Sequence, residues 1–224
     1  MAARAARIGA TERALRAGII AAARATEARG LTQGTSGNVS ARLGGDMLIT
    51  PSATPYDTLR PAMIAAMALE DNDGGAWRGP LAPSSEWRFH RDILRARPEI
   101  GAVVHTHSPH ATALAMARRP IPAGHYMVAA FGGDDVRCAG YARYGTAELS
   151  ALVVQALHDR KACLMANHGA VTLGRDLDEA LSLAIELEAL ARQHVLTIAI
   201  GGPVILGAAE MAEVHAAFAG YRKA

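Results

Sequence analysis

The sequence predicts an α/β protein forming one domain over residues 1–224. Segments with a helical period of 3.6 alternate with short apolar runs of strand length, bounded by Gly, Pro, Asn and Asp. Hydrophobic residues make up 50% of the chain and charged residues 20%, enough apolar surface to bury a sizeable core at this length. No internal repeat, low-complexity block or linker divides the 224 residues.

Composition also excludes several function classes. Lys+Arg 23 against Asp+Glu 21 gives a net charge of +2, which provides no electrostatic footprint for nucleic acid or a membrane surface. Aromatic residues are only 4%, so stacking platforms for bases are scarce. Cys138 and Cys163 form no CxxC pattern and sit in apolar company, which predicts inert buried thiols and a cytoplasmic location. The longest apolar stretch, around Val195–Leu206, is broken by Gly201, Gly202 and Pro203 and is not a bilayer span.

In chain order, Met1–Arg7 reads as a frayed helix end, and Leu15, Ile19, Ala22 and Ala23 line one face of a helix over residues 10–29, with Gly30 at its C′ position. The stretch Leu31–Arg42 carries Gly34 and Gly37 among short polar residues. It reads either as a plain loop before a strand or as a nest of backbone N–H groups for an anion. Val39–Leu43 and Met47–Thr50 form a hairpin around Gly44, Gly45 and Asp46. A second polar loop, Pro51–Tyr56, follows that strand, and Met63–Leu69 reads as another strand ended by Asp71–Gly75, with Trp77 opening a further short one. Ser84 or Ser85 is placed to cap a helix running to Arg97, with Glu86 in its first turn, where the macrodipole favours a carboxylate.

The next strand, from Gly101, runs into His105 and His107, and Ser108-Pro109 opens a helix to about Arg119. A long polar connection spans Ile121–Asp135, followed by a strand at Val136–Ala139 and a helix capped by Thr146. Lys161–Met165 and Ala170–Leu173 read as paired strands on either side of Asn167, His168 and Gly169. A helix capped by Asp176 or Asp178 runs to about Ile200, and a last helix covers residues 207–219 ahead of a basic tail containing Tyr221.

In a strand, residues i and i+2 share a face, so His105 and His107 project together. His168 lies just past another short apolar run. Three imidazoles from strand exits with a nearby carboxylate fit a catalytic Zn²⁺ site that keeps an open position. Glu86 is a candidate for that carboxylate, and a plain first-turn carboxylate is the competing reading. His90 is expected to pack on the sheet. His110 and His125 are open between outer-sphere, substrate-contacting and surface roles, while His158, His194 and His215 lie on helices without assigned roles.

Five ordered motifs, Gln33–Ser40 (QGTSGNVS), Ile49–Ser52 (ITPS), Pro83–Glu86 (PSSE), His105–His107 (HTH) and Asn167–Gly169 (NHG), resemble those of the class II aldolase/adducin-fold family. Ile121–Met127 and Tyr141–Thr146 are most similar to its L-fuculose-1-phosphate aldolase branch. The resemblance implies an α/β/α sandwich around a central, largely antiparallel β-sheet. It also implies a C4 homotetramer with interfacial active sites and a small phosphorylated sugar as substrate. By motif, His105, His107 and His168 would bind Zn²⁺, with Co²⁺ or Mn²⁺ as alternatives. Glu86 would be the acid/base, and Tyr126 would reach the neighbouring subunit's site to protonate the aldehyde oxygen in the condensation direction. Gly37, Asn38, Ser52, Ala53, Ser84 and Ser85 would hold the substrate phosphate. The branch tends to carry Thr-Gly where this chain has Ser52 and Ala53. Alanine enters the left-handed region less readily than glycine, which predicts a differently shaped loop.

The implied chemistry is retro-aldol cleavage of a 1-phosphoketulose of the L-fuculose 1-phosphate type to dihydroxyacetone phosphate and an aldehyde, with a Lewis-acidic cation in place of a Schiff-base lysine. The chain's only lysines, Lys161 and Lys223, agree with that. Alternatives on the same fold are a 5-deoxyribulose or 5-methylthioribulose 1-phosphate aldolase, an L-ribulose-5-phosphate 4-epimerase and a 3-oxo-acid-phosphate decarboxylase. The epimerase usually carries aspartate at the position of Glu86. A non-enzymatic adducin-like binding module would lack the histidine set present here.

Overall fold

The structure, a computed structural model, describes residues 9–70 and 74–221. The reading of Met1–Arg7 lies outside these residues, as do the first three positions of the Asp71–Gly75 turn. The strands are β1 (Asn38–Leu43), β2 (Asp46–Ile49), β3 (Ala65–Ala68), β4 (Ala102–Thr106), β5 (Ile121–Pro122), β6 (Asp135–Ala139), β7 (Ala162–Met165) and β8 (Gly169–Gly174). They form an eight-stranded sheet in the order β3-β2-β1-β4-β8-β7-β6-β5. Every neighbouring pair is antiparallel except β6 and β7. The helices are α1 (Ala10–Ala28), α2 (Trp87–Ala96), α3 (Pro109–Met116), α4 (Ala147–Ala156), α5 (Leu177–Ala199) and α6 (Ala208–Tyr221).

The central strands read as continuous apolar runs because both faces of the sheet are covered. Successive residues serve opposite cores. Val103 joins Phe89, Ile93, Leu94, Leu149 and Val153 from α2 and α4. Ala102 and Val104 face the other way, toward Ile19 and Ala23 of α1 and Ala180 and Ala184 of α5. Leu164 and Ala170 meet Leu114 of α3 and Leu187 of α5 in a third cluster. The result is the expected α/β/α sandwich around a largely antiparallel sheet. Among the described residues, no helix is long and apolar enough to cross a membrane. Cys163 is buried and its thiol is pushed well up by burial; both cysteines are free.

Two caps follow the sequence: Thr146 Oγ1 accepts from Leu149 N at 3.2 Å, and the Asp176 side chain accepts from Glu179 N at 2.8 Å. Three local expectations are corrected. α2 begins at Trp87, so Glu86 itself occupies the N-cap position and neither serine caps the helix; Ser84 Oγ instead accepts from Glu86 N at 3.3 Å. Trp77 opens no strand, because only Ala66 and Arg78 pair there, as an isolated bridge. The Ile121–Asp135 connection is more ordered than a loop, with β5 and a 3-10 helix at Tyr126–Phe131.

Register then places the polar strand ends together. β4 lies between β1 and β8, with His105 opposite Asn38 on one side and Val171 on the other. The tight turn between β7 and β8 uses Asn167 in the left-handed region, φ +56°, a conformation asparagine tolerates better than most residues. Gly169 follows because space there is closed: a Cβ would lie 2.4 Å from Thr106 O and 2.8 Å from His107 Cδ2. Gly169→Ala is therefore expected to lower the unfolding free energy in urea by ~2 kcal/mol or more, through backbone displacement between two central strands. Unchanged denaturation of that variant would show that the β4–β8 edge yields freely.

Candidate active site

The ends of β1, β4 and β8, with the start of α2, bring four ligand-type side chains together. One donor atom each from Glu86, His105, His107 and His168 lies within 4.8 Å of the others. Glu86 and His105 are buried, and His107 and His168 are partly open. His105 Nε2 is 3.1 Å from Glu86 Oε2 and 3.1 Å from His107 Nε2, and His168 Nε2 is 3.1 Å from Glu86 Oε1. The three rings are mutually edge-on, with centroids 4.9–5.0 Å apart, so their Nε2 corners converge. Phe89 closes the apolar side, 5.5 Å from the His105 ring.

The protonation pattern of this cluster is that of a cation site. His105 Nδ1 lies 2.9 Å from Ala170 O, an atom that can only accept, so Nδ1 carries a hydrogen, and in its neutral form the ring presents a lone pair at Nε2. That lone pair faces another imidazole nitrogen and a carboxylate oxygen. Burial, followed by the charges of His105 and His168, lowers His107 to about 3, so its ring is neutral at ordinary pH. Burial would raise the Glu86 carboxyl, but the charge and hydrogen bonds of His105 and His168 in their protonated forms outweigh it and hold the group well below the usual carboxylate range. Glu86 Oε1 is buried and, among the described residues, receives no well-directed hydrogen bond despite its closeness to His168. Converging lone pairs around a buried carboxylate are matched by a divalent cation. Three imidazoles and one carboxylate suit zinc, cobalt or manganese.

Glu86, His107 and His168 of this cluster form one wall of a cavity of ≈ 340 Å³, with His105 buried behind them. Gly37, Asn38, Ser52, Ala53, Ser84 and Ser85 all line it, with Thr35, Ser36, Tyr141 and Tyr144. The loop after β2 and the loop before α2 are tied together: Pro51 bridges Pro83, Ser84 N donates to Thr50 O at 3.0 Å, and Ser52 N donates to Ala82 O at 3.1 Å. Gly37 has φ +78°, and a Cβ there would stand 2.7 Å from His105 O, so the Gly-rich loop lies directly against the histidine strand. Tyr56 Oη donates to Gly37 O at 2.8 Å and fixes that loop from beneath. Ala53 adopts φ +48°, in the left-handed region that glycine enters more readily, at a cost of about 1 kcal/mol. Tight anchoring on both sides overrides the local preference.

Tyr126 does not line this cavity. It is 50% exposed, on the 3-10 helix that follows β5, and stacks on His125. His110 is taken up by Glu188, at 2.7 Å, and His125 Nδ1 accepts from Met127 N at 3.1 Å. Lys161 is paired with Glu179 at 2.5 Å and is not among the residues lining the cavity. Sequence reasoning missed His90 and Tyr56, both buried and hydrogen-bonded to residues of the cavity wall. The spacing of four between Glu86 and His90 was the available signal for the first; nothing marked the second.

Residues 17–195 match the family described as class II aldolase and adducin N-terminal domain. The chain is 52% identical over 208 residues to the 5-methylthioribulose-1-phosphate/5-deoxyribulose-1-phosphate aldolase of Rhodospirillum rubrum, covering 93% of this chain and 92% of that one. It is 47% identical over 193 residues to the L-fuculose phosphate aldolase of Escherichia coli K12, covering 86% and 88%. A solved L-fuculose 1-phosphate aldolase superposes with a TM-score of 0.86 at 35% identity, covering 92% of this chain and 96% of that one. The chain belongs to the class II aldolase and adducin family.

Proposed function

We propose that this protein is a divalent-metal-dependent aldolase that cleaves a 1-phosphoketulose to dihydroxyacetone phosphate and an aldehyde. The observation that carries the reading is the convergence of Glu86, His105, His107 and His168, three of them (Glu86, His107 and His168) in the wall of a cavity rimmed by serines and a Gly-rich loop. The relatives named as sugar-phosphate aldolases supply the reaction class.

In this reading His105, His107 and His168 hold the cation, zinc in the first instance and cobalt or manganese as alternatives. When bound, that cation supplies Lewis-acid stabilisation for the charge that develops on the ketose fragment. Ser84 and Ser85, with the loops at Gly37–Asn38 and Ser52–Ala53, receive the phosphate. Their binding energy holds the reacting carbons in place. In cleavage the C4 hydroxyl loses its proton, the C3–C4 bond breaks and C3 gains a proton. Glu86, ionised and buried beside the imidazoles, is the group placed to hold and return the proton at C3. Tyr126 exchanges the proton at the aldehyde oxygen in the site of a neighbouring subunit, within a homotetramer. Its exposure, and its not being among the residues lining its own chain's cavity, support that placement.

The relative at 52% identity favours a 5-deoxy- or 5-methylthio-ketulose phosphate over L-fuculose 1-phosphate as the substrate. A coupled assay of dihydroxyacetone phosphate release across these 1-phosphoketuloses is expected to give turnover, with the 5-deoxy or 5-methylthio compound having the highest kcat/KM. Absence of release from every member, with epimerisation of L-ribulose 5-phosphate instead, would replace the aldolase reading by the epimerase.

Two substitutions separate the roles. Glu86→Gln is expected to retain metal and lose cleavage by roughly 100-fold or more, as removal of a proton-transfer group does. Survival of activity in this variant would remove Glu86 from the proton transfer. His107→Ala is expected to lose bound metal in elemental analysis, and undiminished metal content would exclude His107 as a ligand.

A further inference from the structure

Beneath the cavity lies a chain of hydrogen bonds that the proposed reaction does not use directly. His90, on α2 one turn after Glu86, is fully buried. Its Nδ1 is 2.7 Å from Ser40 Oγ, and its Nε2 is 2.5 Å from Asn38 Oδ1. Asn38 Nδ2 in turn donates to Ser84 Oγ at 2.9 Å and to Glu86 Oε2 at 3.1 Å. Ser40, Asn38, Ser84 and Glu86 are all buried as well.

Donor and acceptor rules leave one consistent assignment. Asn38 Oδ1 can only accept, so His90 carries its hydrogen on Nε2, and Ser40 Oγ donates to the lone pair on Nδ1. The opposite orientation of the Asn38 amide would set its oxygen against the Glu86 carboxylate, a repulsive contact in a buried site that no tautomer of His90 relieves. Glu86 thereby selects the end of the amide that faces it, and the Nε2–H of His90 braces the amide from the opposite end. With both Nδ2 hydrogens engaged, the Asn38 side chain has no donor left for a phosphate. Ser84 Oγ accepts from both Asn38 and Glu86 N, so its own hydrogen is free to point into the cavity.

From this geometry we infer that His90 is a positioning residue, which acts through Asn38 to hold the Glu86 carboxylate and the Ser84 hydroxyl in their working orientations. The inference rests on the aldolase reading for its catalytic consequence and on the hydrogen-bonded chain for its structure. Burial lowers the His90 imidazole to about 3, so the ring stays a neutral single-proton donor at working pH. The anchoring is one-sided. Oε2 of Glu86 receives the amide, while Oε1 has no directed donor among the described residues.

The test has a spectroscopic arm and a kinetic arm. Long-range ¹H–¹⁵N spectra of histidine-labelled protein are expected to show His90 as the neutral Nε2–H tautomer, and an Nδ1–H tautomer would overturn the inference. In the kinetic arm, His90→Leu, which keeps the volume but removes the donor, is expected to lower kcat by ~10–100-fold with metal content retained and KM little changed. His90→Gln restores an N–H near the Nε2 position and is expected to recover most of that loss. In an Asn38→Ala background, His90→Leu is expected to cost little more, because both act on one contact. Independent multiplication of the two losses, or unchanged kcat in His90→Leu, would overturn the inference. If His90→Leu does not fold, the tautomer and the His90→Gln kinetics decide, with a fall in kcat as large as that of Asn38→Ala counting against it. Wild-type protein that cleaves no 1-phosphoketulose would refute the proposed function and the catalytic half of the inference, while the tautomer still tests the hydrogen-bonded chain separately.

Discussion

A carboxylate buried against imidazole nitrogens whose lone pairs converge on it is the constraint that the rest of the site depends on. Such an arrangement is costly without a compensating charge, because the Asn38 amide donates to only one of the two carboxylate oxygens and the other is buried in a poorly solvated place. The backbone carbonyl of Ala170 holds His105 in the tautomer that directs its lone pair inward. Phe89 prevents the ring from retreating, and Gly169 lets the β7–β8 turn approach close enough to deliver His168. These features cost stability as isolated structure, and they become coherent around a divalent cation.

The sheet supplies the rigidity. Three adjacent antiparallel strands, β1, β4 and β8, contribute Asn38, His105 and the turn bearing His168 from neighbouring positions of one register. Helices on both faces bury those strands, so their ends move little relative to one another. The anion-binding side is built differently, from loops: Gly37, Ala53 and the Ser84–Ser85 turn are fixed by cross-loop hydrogen bonds and by Tyr56. In the proposed reading, a strand-anchored cation cluster beside a loop-built phosphate cradle would hold the bond to be broken between two fixed points.

Much of this was legible in the sequence. The period of two placed His105 with Val103 on one face, and the strand exit at Asn167–Gly169 pointed to His168. The motif order carried the fold class and the loops of the cavity. The start of α2 was misread because Glu86 occupies the N-cap position while its side chain turns into the histidine cluster, a tertiary demand that outweighs local capping preference. At Ala53, too, anchoring at Pro51 and Ser84 imposes a left-handed backbone that alanine would not choose alone. His90 packs on the sheet as expected, but its partner Asn38 lies 52 residues away and Tyr56 pairs across 19, and local pattern does not name such partners.

Metal analysis of the purified protein tests the central claim most directly. The account predicts about one divalent ion per chain, or rebinding of one equivalent of Zn²⁺, Co²⁺ or Mn²⁺ after chelation, with a rise in melting temperature as the ion binds only the folded state. Substoichiometric metal, with no uptake and no change in melting temperature on addition of any of the three, would contradict it.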